Sequence, residues 1–287
     1  FLASGGSDRM IKIWDVASGN VLQTLEGHRE AVFSLSWHPN NNLIASSSQD
    51  STLRLWDIQT GALTTTINPD GQYWIWAVRF STDGSKLLSG SGGATLTLWD
   101  VQSRQVLKTL QAYTYYIWSI ATIPEADSLL ICGDSEKEIQ MWDQSTNQII
   151  RTFTGHQAWV FSVAASSSGQ WISSGSEDRT IRLWNPQTGQ CLHTLEGHED
   201  WIWSVMFSPN EQILASGSED RTIRLWNTQT GALLTTWNNQ EPVYSIAFSS
   251  DGQFLASSSG QIIKLWEVKT GDITTLLEGH TDWVRCV

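Results

Sequence analysis

The chain is poor in several residue types that mark whole classes of protein. Of 287 residues three are cysteine, and Cys132, Cys191 and Cys286 stand far apart with no CxxC spacing. This argues against a disulfide framework or a cysteine-bound metal, and it points to reduced thiols in a cytoplasmic setting. Proline is scarce, with six residues, and no Pro-rich, single-charge or low-complexity tract divides the chain. No apolar run approaches the roughly 20 residues of a membrane helix. The opening residues carry neither a basic leader nor a Met, so the chain reads as a soluble piece excerpted from something longer. Basic residues are also few: 17 Lys and Arg against 29 Asp and Glu give a formal net charge of −12. Nucleic acid and anionic membrane surfaces both require a basic face, so neither is an expected partner. The acidity favours a basic protein or peptide, or serves solubility alone.

What the chain has in abundance is repetition. "SGSEDRTIRLWN" occurs at Ser174–Asn185 and again, letter for letter, at Ser216–Asn227. Tryptophan follows the same rhythm, at Trp14, Trp56, Trp99, Trp142, Trp184, Trp226 and Trp266, with intervals of 40 to 43 residues. Seven repeats of this length fill the chain, which predicts one closed repeat domain over residues 1–287. Within residues 198–237, "DWIWSVMFSP", "ILASGS", "IRLWN" and "ALLTTW" alternate apolar and polar as strands. The turns "NEQ", "EDRT" and "TQTG" separate them, and "TDG" and "SDG" in other copies carry the Asp-Gly hairpin signal. Four short strands per repeat and no helical period predict an all-β array, in which packing the sheets face to face buries their apolar surfaces.

The Gly-His pairs, the "LASGSxD" strand and turn, and the Trp-Asp endings resemble the WD40 repeat family of seven-bladed β-propellers. The wording "GSEDRTIRLWNxQTG" and "GHxDWIWSVxFSP" is similar to cyanobacterial and other bacterial WD40 arrays, which commonly adjoin signalling NTPase or kinase domains. The resemblance implies seven blades of four antiparallel strands. It also implies a non-catalytic protein-recognition platform without cofactor or metal, here the sensor or scaffold part of a bacterial signalling protein. Carbohydrate or another small ligand at an aromatic rim is the alternative.

Aligning the repeats on their tryptophans exposes a four-part set: His28, Ser46, Asp50 and Trp56; His156, Ser174, Asp178 and Trp184; His198, Ser216, Asp220 and Trp226. Ser, His and Asp together suggest a hydrolase, but a nucleophilic site needs one activated hydroxyl. This set recurs and ends on a bulky indole, so a structural network is the stronger reading. Three repeats depart from it. At Trp99 the His position falls on Asp70 or Gly71 and the Asp position on Gly93; at Trp142, Tyr113, Cys132 and Glu136 replace His, Ser and Asp. At Trp266, Asn239 or Gln240 stands near the His position above a shortened turn. Two of these repeats are neighbours, so that sector is expected to be less firmly tied. His38 and His193 are isolated and read as solvated or packed on strands.

Three residues beyond each His position stand Ala31, Trp74, Tyr116, Trp159, Trp201 and Trp283, with Pro242 in the shortened loop. The large aromatics are expected at the mouth of the central channel, as anchors for a partner or as packing between blades. Glu30, Glu177, Glu199, Asp200, Glu219 and Asp282 are expected on the same rim, with Arg9, Arg179 and Arg221 after the turn aspartates. The expected partner-binding residues are Trp74, Tyr116, Trp159, Trp201, Trp283, Glu177 and Glu219. Finally, the first 26 residues supply three strands of a blade and residues 281–287 the missing one. The C-terminal strand should pair beside Phe1–Gly5, with His280 completing a fourth set with Ser4, Asp8 and Trp14.

Overall fold

The computed structural model describes residues 1–68, 72–111, 116–123, 129–134, 137–143, 146 and 148–287, with residues 111 and 129–134 described by their backbone path. The proposed positions at Asp70, Gly71, Tyr113 and Glu136, and the side chain of Cys132, lie outside the described residues.

Every sheet has four antiparallel strands. In the Trp226 blade these are Ile202–Phe207, Ile213–Ser218, Thr222–Asn227 and Leu233–Asn238. The expectation of seven blades is corrected by the topology. Six blades are self-contained, each drawn from four consecutive strands. The remaining sheet is a composite, in which Val284–Cys286 lies beside Leu2–Gly6, Ile11–Trp14 and Val21–Leu25. Six, not seven, is therefore the number of blades built from one continuous stretch, because the ends of the chain must be shared to cover the last open edge.

The apolar alternation of the strands is spent between sheets. Each core cluster joins neighbours, as where Ile181, Leu183 and Leu195 of one blade meet Ile202, Val205, Leu214 and Trp226 of the next. Glycine in the second strand permits this closeness: a Cβ on Gly175 would lie 2.7 Å from Ile202, and one on Gly217 would lie 2.5 Å from Val243. The sheets are also tied through hydrogen bonds, for example from the Phe80 amide to Ser36 Oγ at 3.0 Å and from the Val205 amide to Ser162 Oγ at 3.1 Å.

One irregularity places the candidate site. In the innermost strands the register shifts between Val32 and Ser34, Ile75 and Ala77, Ile117 and Ser119, Val160 and Ser162, and Ile202 and Ser204. In the composite sheet Gly5 and Gly6 oppose Cys286 and Val284. The extra residues are Phe33, Trp76, Trp118, Phe161, Trp203 and Arg285. A bulge of this kind bends the strand and re-aims the extra side chain, here into the mouth of the ring.

Candidate binding site at the aromatic rim

The four-part sets form the scaffold beneath the rim. His28 lies 2.9 Å from Asp50 through Nδ1 and 2.7 Å from Ser46 through Nε2, and the Trp56 indole donates to Ser46 Oγ at 2.8 Å. The distances are 2.8, 2.7 and 2.9 Å in the Trp184 set and 2.7, 2.7 and 3.0 Å in the Trp226 set. The composite sheet contains a fourth: His280 to Asp8 at 2.8 Å, His280 to Ser4 at 2.7 Å and Trp14 to Ser4 at 2.8 Å. The ionised carboxylate can only accept, so His Nδ1–H donates to it; Nε2 of a neutral imidazole is then an acceptor, and the serine hydroxyl donates to it while accepting from the indole. This assignment needs neutral imidazole. Burial pushes the His28 and His198 pKa values down, outweighing the pull of Asp50 and Asp220. Burial would raise the four aspartates, but bonds from histidine, the following backbone amide and, in three sets, threonine hold them below the ordinary range. Each serine is fully buried and committed at both ends, so the set saturates buried polar groups and exposes no nucleophile.

The departing repeats keep parts of this arrangement. Trp99 donates to Ser89 Oγ at 3.0 Å, while Gly93 stands in the aspartate position. Trp142 Nε1 is buried without an acceptor among the described residues. In the Trp266 blade Asn239, not Gln240, takes the histidine place: Ser257 Oγ donates to Asn239 Oδ1 at 3.4 Å and accepts from Trp266 at 2.8 Å. His38 and His193 reach backbone oxygens of neighbouring blades, Gly84 at 3.1 Å and Gln229 at 3.0 Å.

Above the scaffold, the structure leaves five large aromatics substantially exposed: Trp74 at 44%, Tyr116 at 40%, Trp159 at 41%, Trp201 at 39% and Trp283 at 37%. Each also leans on the ring of a preceding blade, as Trp159 does on Trp118 at 6.2 Å and Trp201 on Phe161 at 5.8 Å. They are held in place yet open on one side. The acidic residues differ in freedom. Glu219 Oε2 accepts the Trp203 indole N–H at 2.7 Å, and Glu177 receives the Trp159 amide at 3.5 Å. Arg9, Arg179 and Arg221 occupy left-handed turn positions, with φ of 71°, 68° and 66°.

Two residues further along each first strand lies a second ring that sequence reasoning missed: Phe33, Trp76, Trp118, Phe161, Trp203, Tyr244 and Arg285. Its members touch in succession, with centroids 4.3 Å apart for Phe33 and Trp76, 4.3 Å for Trp76 and Trp118, and 4.4 Å for Phe161 and Trp203. Together with Trp74, Trp283, Glu30, Gln49, Asp282 and Ser7 they line a cavity of about 750 Å³. The signal was available in the repeat register, which reads aromatic at six of these seven positions. Among the described residues no group of three or more His, Cys, Asp or Glu is placed to hold a metal. No helix among them is long and apolar enough to cross a membrane.

Comparison with known proteins agrees with this geometry. The family model described as WD domain, G-beta repeat matches residues 1–15, 19–57 and 61–100. The model described as IFT122 first beta-propeller matches residues 116–259, half of the chain. The chain belongs to the WD40 repeat family. WD40 propellers are typically non-catalytic scaffolds that bind proteins, and no enzyme family is matched. Individual relatives match over about one repeat. "Probable serine/threonine-protein kinase PkwA" of Thermomonospora curvata is 52% identical over 42 residues, 14% of this chain and 6% of that protein. "Protein tipD" of Dictyostelium discoideum is 43% identical over 47 residues, 16% of this chain and 8% of that protein. "WD40 repeat-containing protein HOS15" of Arabidopsis thaliana is 46% identical over 44 residues, 15% and 7% respectively. The chain thus spans less than a tenth of the length of these relatives.

Proposed function

We propose that this WD40 ring captures a protein or peptide on the rim bearing Trp74, Tyr116, Trp159, Trp201 and Trp283, as the sensor or scaffold part of a bacterial signalling protein. The observation that carries the reading is the set of five large aromatics held at 37–44% exposure, of which Trp74 and Trp283 line the cavity. Rings anchored on one side and open on the other lose little freedom on binding and remove much apolar surface from water. The exposed acids Glu30, Glu199 and Asp282 favour a basic partner and disfavour nucleic acid or an anionic membrane. The kinase name of one relative describes that protein; here it supports a signalling setting, in the cytoplasm, by analogy. A carbohydrate or other small ligand stacking on the same rings is the alternative, and among the described residues Asp282 and Glu30 are the carboxylates in the cavity lining.

Selection of a displayed random-peptide library on the full chain tests the reading. The wild type should enrich a peptide family, and Trp159→Ala with Trp201→Ala should abolish enrichment while far-ultraviolet dichroism stays unchanged. Retained enrichment overturns the reading, and loss of folding assigns these rings to packing instead. Glu177→Lys should slow association with a selected peptide and weaken its salt dependence. Glu219 is unsuited to that test, because it also holds Trp203.

A further inference from the structure

The inner ring has one member unlike the rest. Where six blades place an aromatic side chain, the composite sheet places Arg285, the one cation in the cavity lining among the described residues. Its guanidinium is fixed on several sides. Nε–H donates to Ser7 Oγ at 2.9 Å, and the group lies 4.9 Å from the Tyr244 ring centroid and 5.6 Å from that of Trp283. What it lacks is a counter-charge. The His–Asp contacts of the network sets are ion pairs of the described residues, and Arg285 joins none of them. Asp282 lines the same cavity and accepts the Trp283 amide at 2.8 Å through Oδ1, but it forms no ion pair with Arg285.

The other polar groups of the ring lean the same way. The residue before the network aspartate serves its own blade's ring member: Glu219 accepts from Trp203, and Ser7 accepts from Arg285. In the Trp99 blade Gly92 holds that position, and among the described residues neither Trp76 Nε1 nor Trp118 Nε1, both buried, has an acceptor. Among the described residues the inside of the ring thus holds two buried indole donors without acceptors besides the Arg285 cation, while carboxylates sit at its mouth. A half-buried arginine fixed by stacking presents a rigid fork that matches a carboxylate, at reduced cost in side-chain freedom. The surrounding aromatic walls lower the local dielectric and strengthen the contact.

We propose that the cavity accepts an Asp or Glu side chain of the captured peptide, and that Arg285 is the residue that reads it. This rests on the peptide-capture reading above. The acidic mouth then attracts basic residues flanking that carboxylate, so the preferred segment carries an acidic residue between basic neighbours.

The probe is the same random-peptide library, selected on the full chain and on Arg285→Gln. The wild type should enrich Asp or Glu at one position, and Arg285→Gln should lose that preference. Selected peptides made as Glu and Gln pairs should differ about tenfold or more in Kd on the wild type and bind Arg285→Gln equally. The Glu/Gln comparison on the wild type needs no variant, so it stands even where Arg285→Gln fails to fold. Amidating the peptide C-terminus should leave Kd unchanged, and a loss that follows amidation instead overturns the side-chain assignment. An enriched family with no acidic preference, or with Lys or Arg at the buried position, overturns this inference and leaves capture standing. No enriched family at all on the wild type overturns the capture reading, and this one with it.

Discussion

The Trp226 and Trp266 blades are adjacent and differ in how they saturate the same buried indole. In the first, Trp226, Ser216, His198 and Asp220 form an unbroken chain of bonds at 3.0, 2.7 and 2.7 Å. In the second, the indole again meets a serine, Ser257, at 2.8 Å, but histidine and aspartate are gone. Asn239 takes their place, its amide nitrogen donating to the carbonyls of Glu241 at 3.0 Å and Ser258 at 3.1 Å. Ser259 Oγ and the buried Lys264 ammonium close on the Asn239 carbonyl. The innermost strand pays for the change in length, spanning Ile246–Phe248 against Ile202–Phe207 next door. The difference teaches that a blade requires its buried polar groups to be answered, not that it requires histidine and aspartate. The tryptophan–serine end is common to both, and the other end is exchangeable.

The largest effects should leave the two blades alike. Trp226→Ala and Trp266→Ala should each cost about 3–5 kcal/mol of unfolding free energy, because both remove a buried indole and its bond to serine. A clear inequality in urea unfolding would break the shared end of the comparison. The next effect should separate them. Asp220→Ala strands His198 inside the protein and should cost about 1–3 kcal/mol. Lys264→Met keeps an apolar stem against Trp266 and removes a charge whose burial already lowers its pKa; it should cost about 1 kcal/mol or less. Equal losses would mean that the two chains are equally essential.

Acid should separate the blades as well. His28 and His198 bind a proton less readily folded than unfolded, so their contribution is intact above the unfolded pKa of about 6.5 and falls as pH drops below it. Asp8, Asp50, Asp178 and Asp220 are held below their ordinary value, so their contribution is present above about pH 3.9 and is lost as pH falls further. Urea unfolding from pH 8 to 3 should therefore decline gently and then more steeply. The Trp266 set has no such groups, so His198→Asn with Asp220→Asn should flatten the decline. A profile flat from pH 8 to 5 in the wild type would mean that these histidines are not kept neutral by folding.

Much of this was legible because each repeat position demands a residue type. Register alone assembles His280 with Ser4 and Asp8 across the ends of the chain. The Asp-Gly turns are equally plain: Gly84 has φ of 74°, and Ser81 and Ser85 bond Asp83, lowering its pKa to about 2. The inner ring was not legible by alternation. Trp201 and Trp203 are two apart, which in a regular strand puts both on one face. The bulge at Trp203 instead gives each a separate place, one exposed and one lining the cavity. Lys264 also hid in the pattern, since its register matches Arg224 and only the folded chain shows its ammonium turned back onto Asn239. Glu219 reads as a surface charge until its bond to Trp203 is seen.

The composite sheet also governs the order of assembly. His280 and Ser4 are 276 positions apart, so their bond belongs to the most remote pairing the chain can make. A continuous blade can form from about forty neighbouring residues, and such local units gather quickly, whereas closing a loop of this size is slow. During synthesis the sheet led by Leu2–Gly6 must wait, one edge bare, until Val284–Cys286 emerges. That interval is when an unclosed ring is open to strands from other chains. Closure is thus the pairing with the largest entropic cost among the described sheets, and the step most exposed to error.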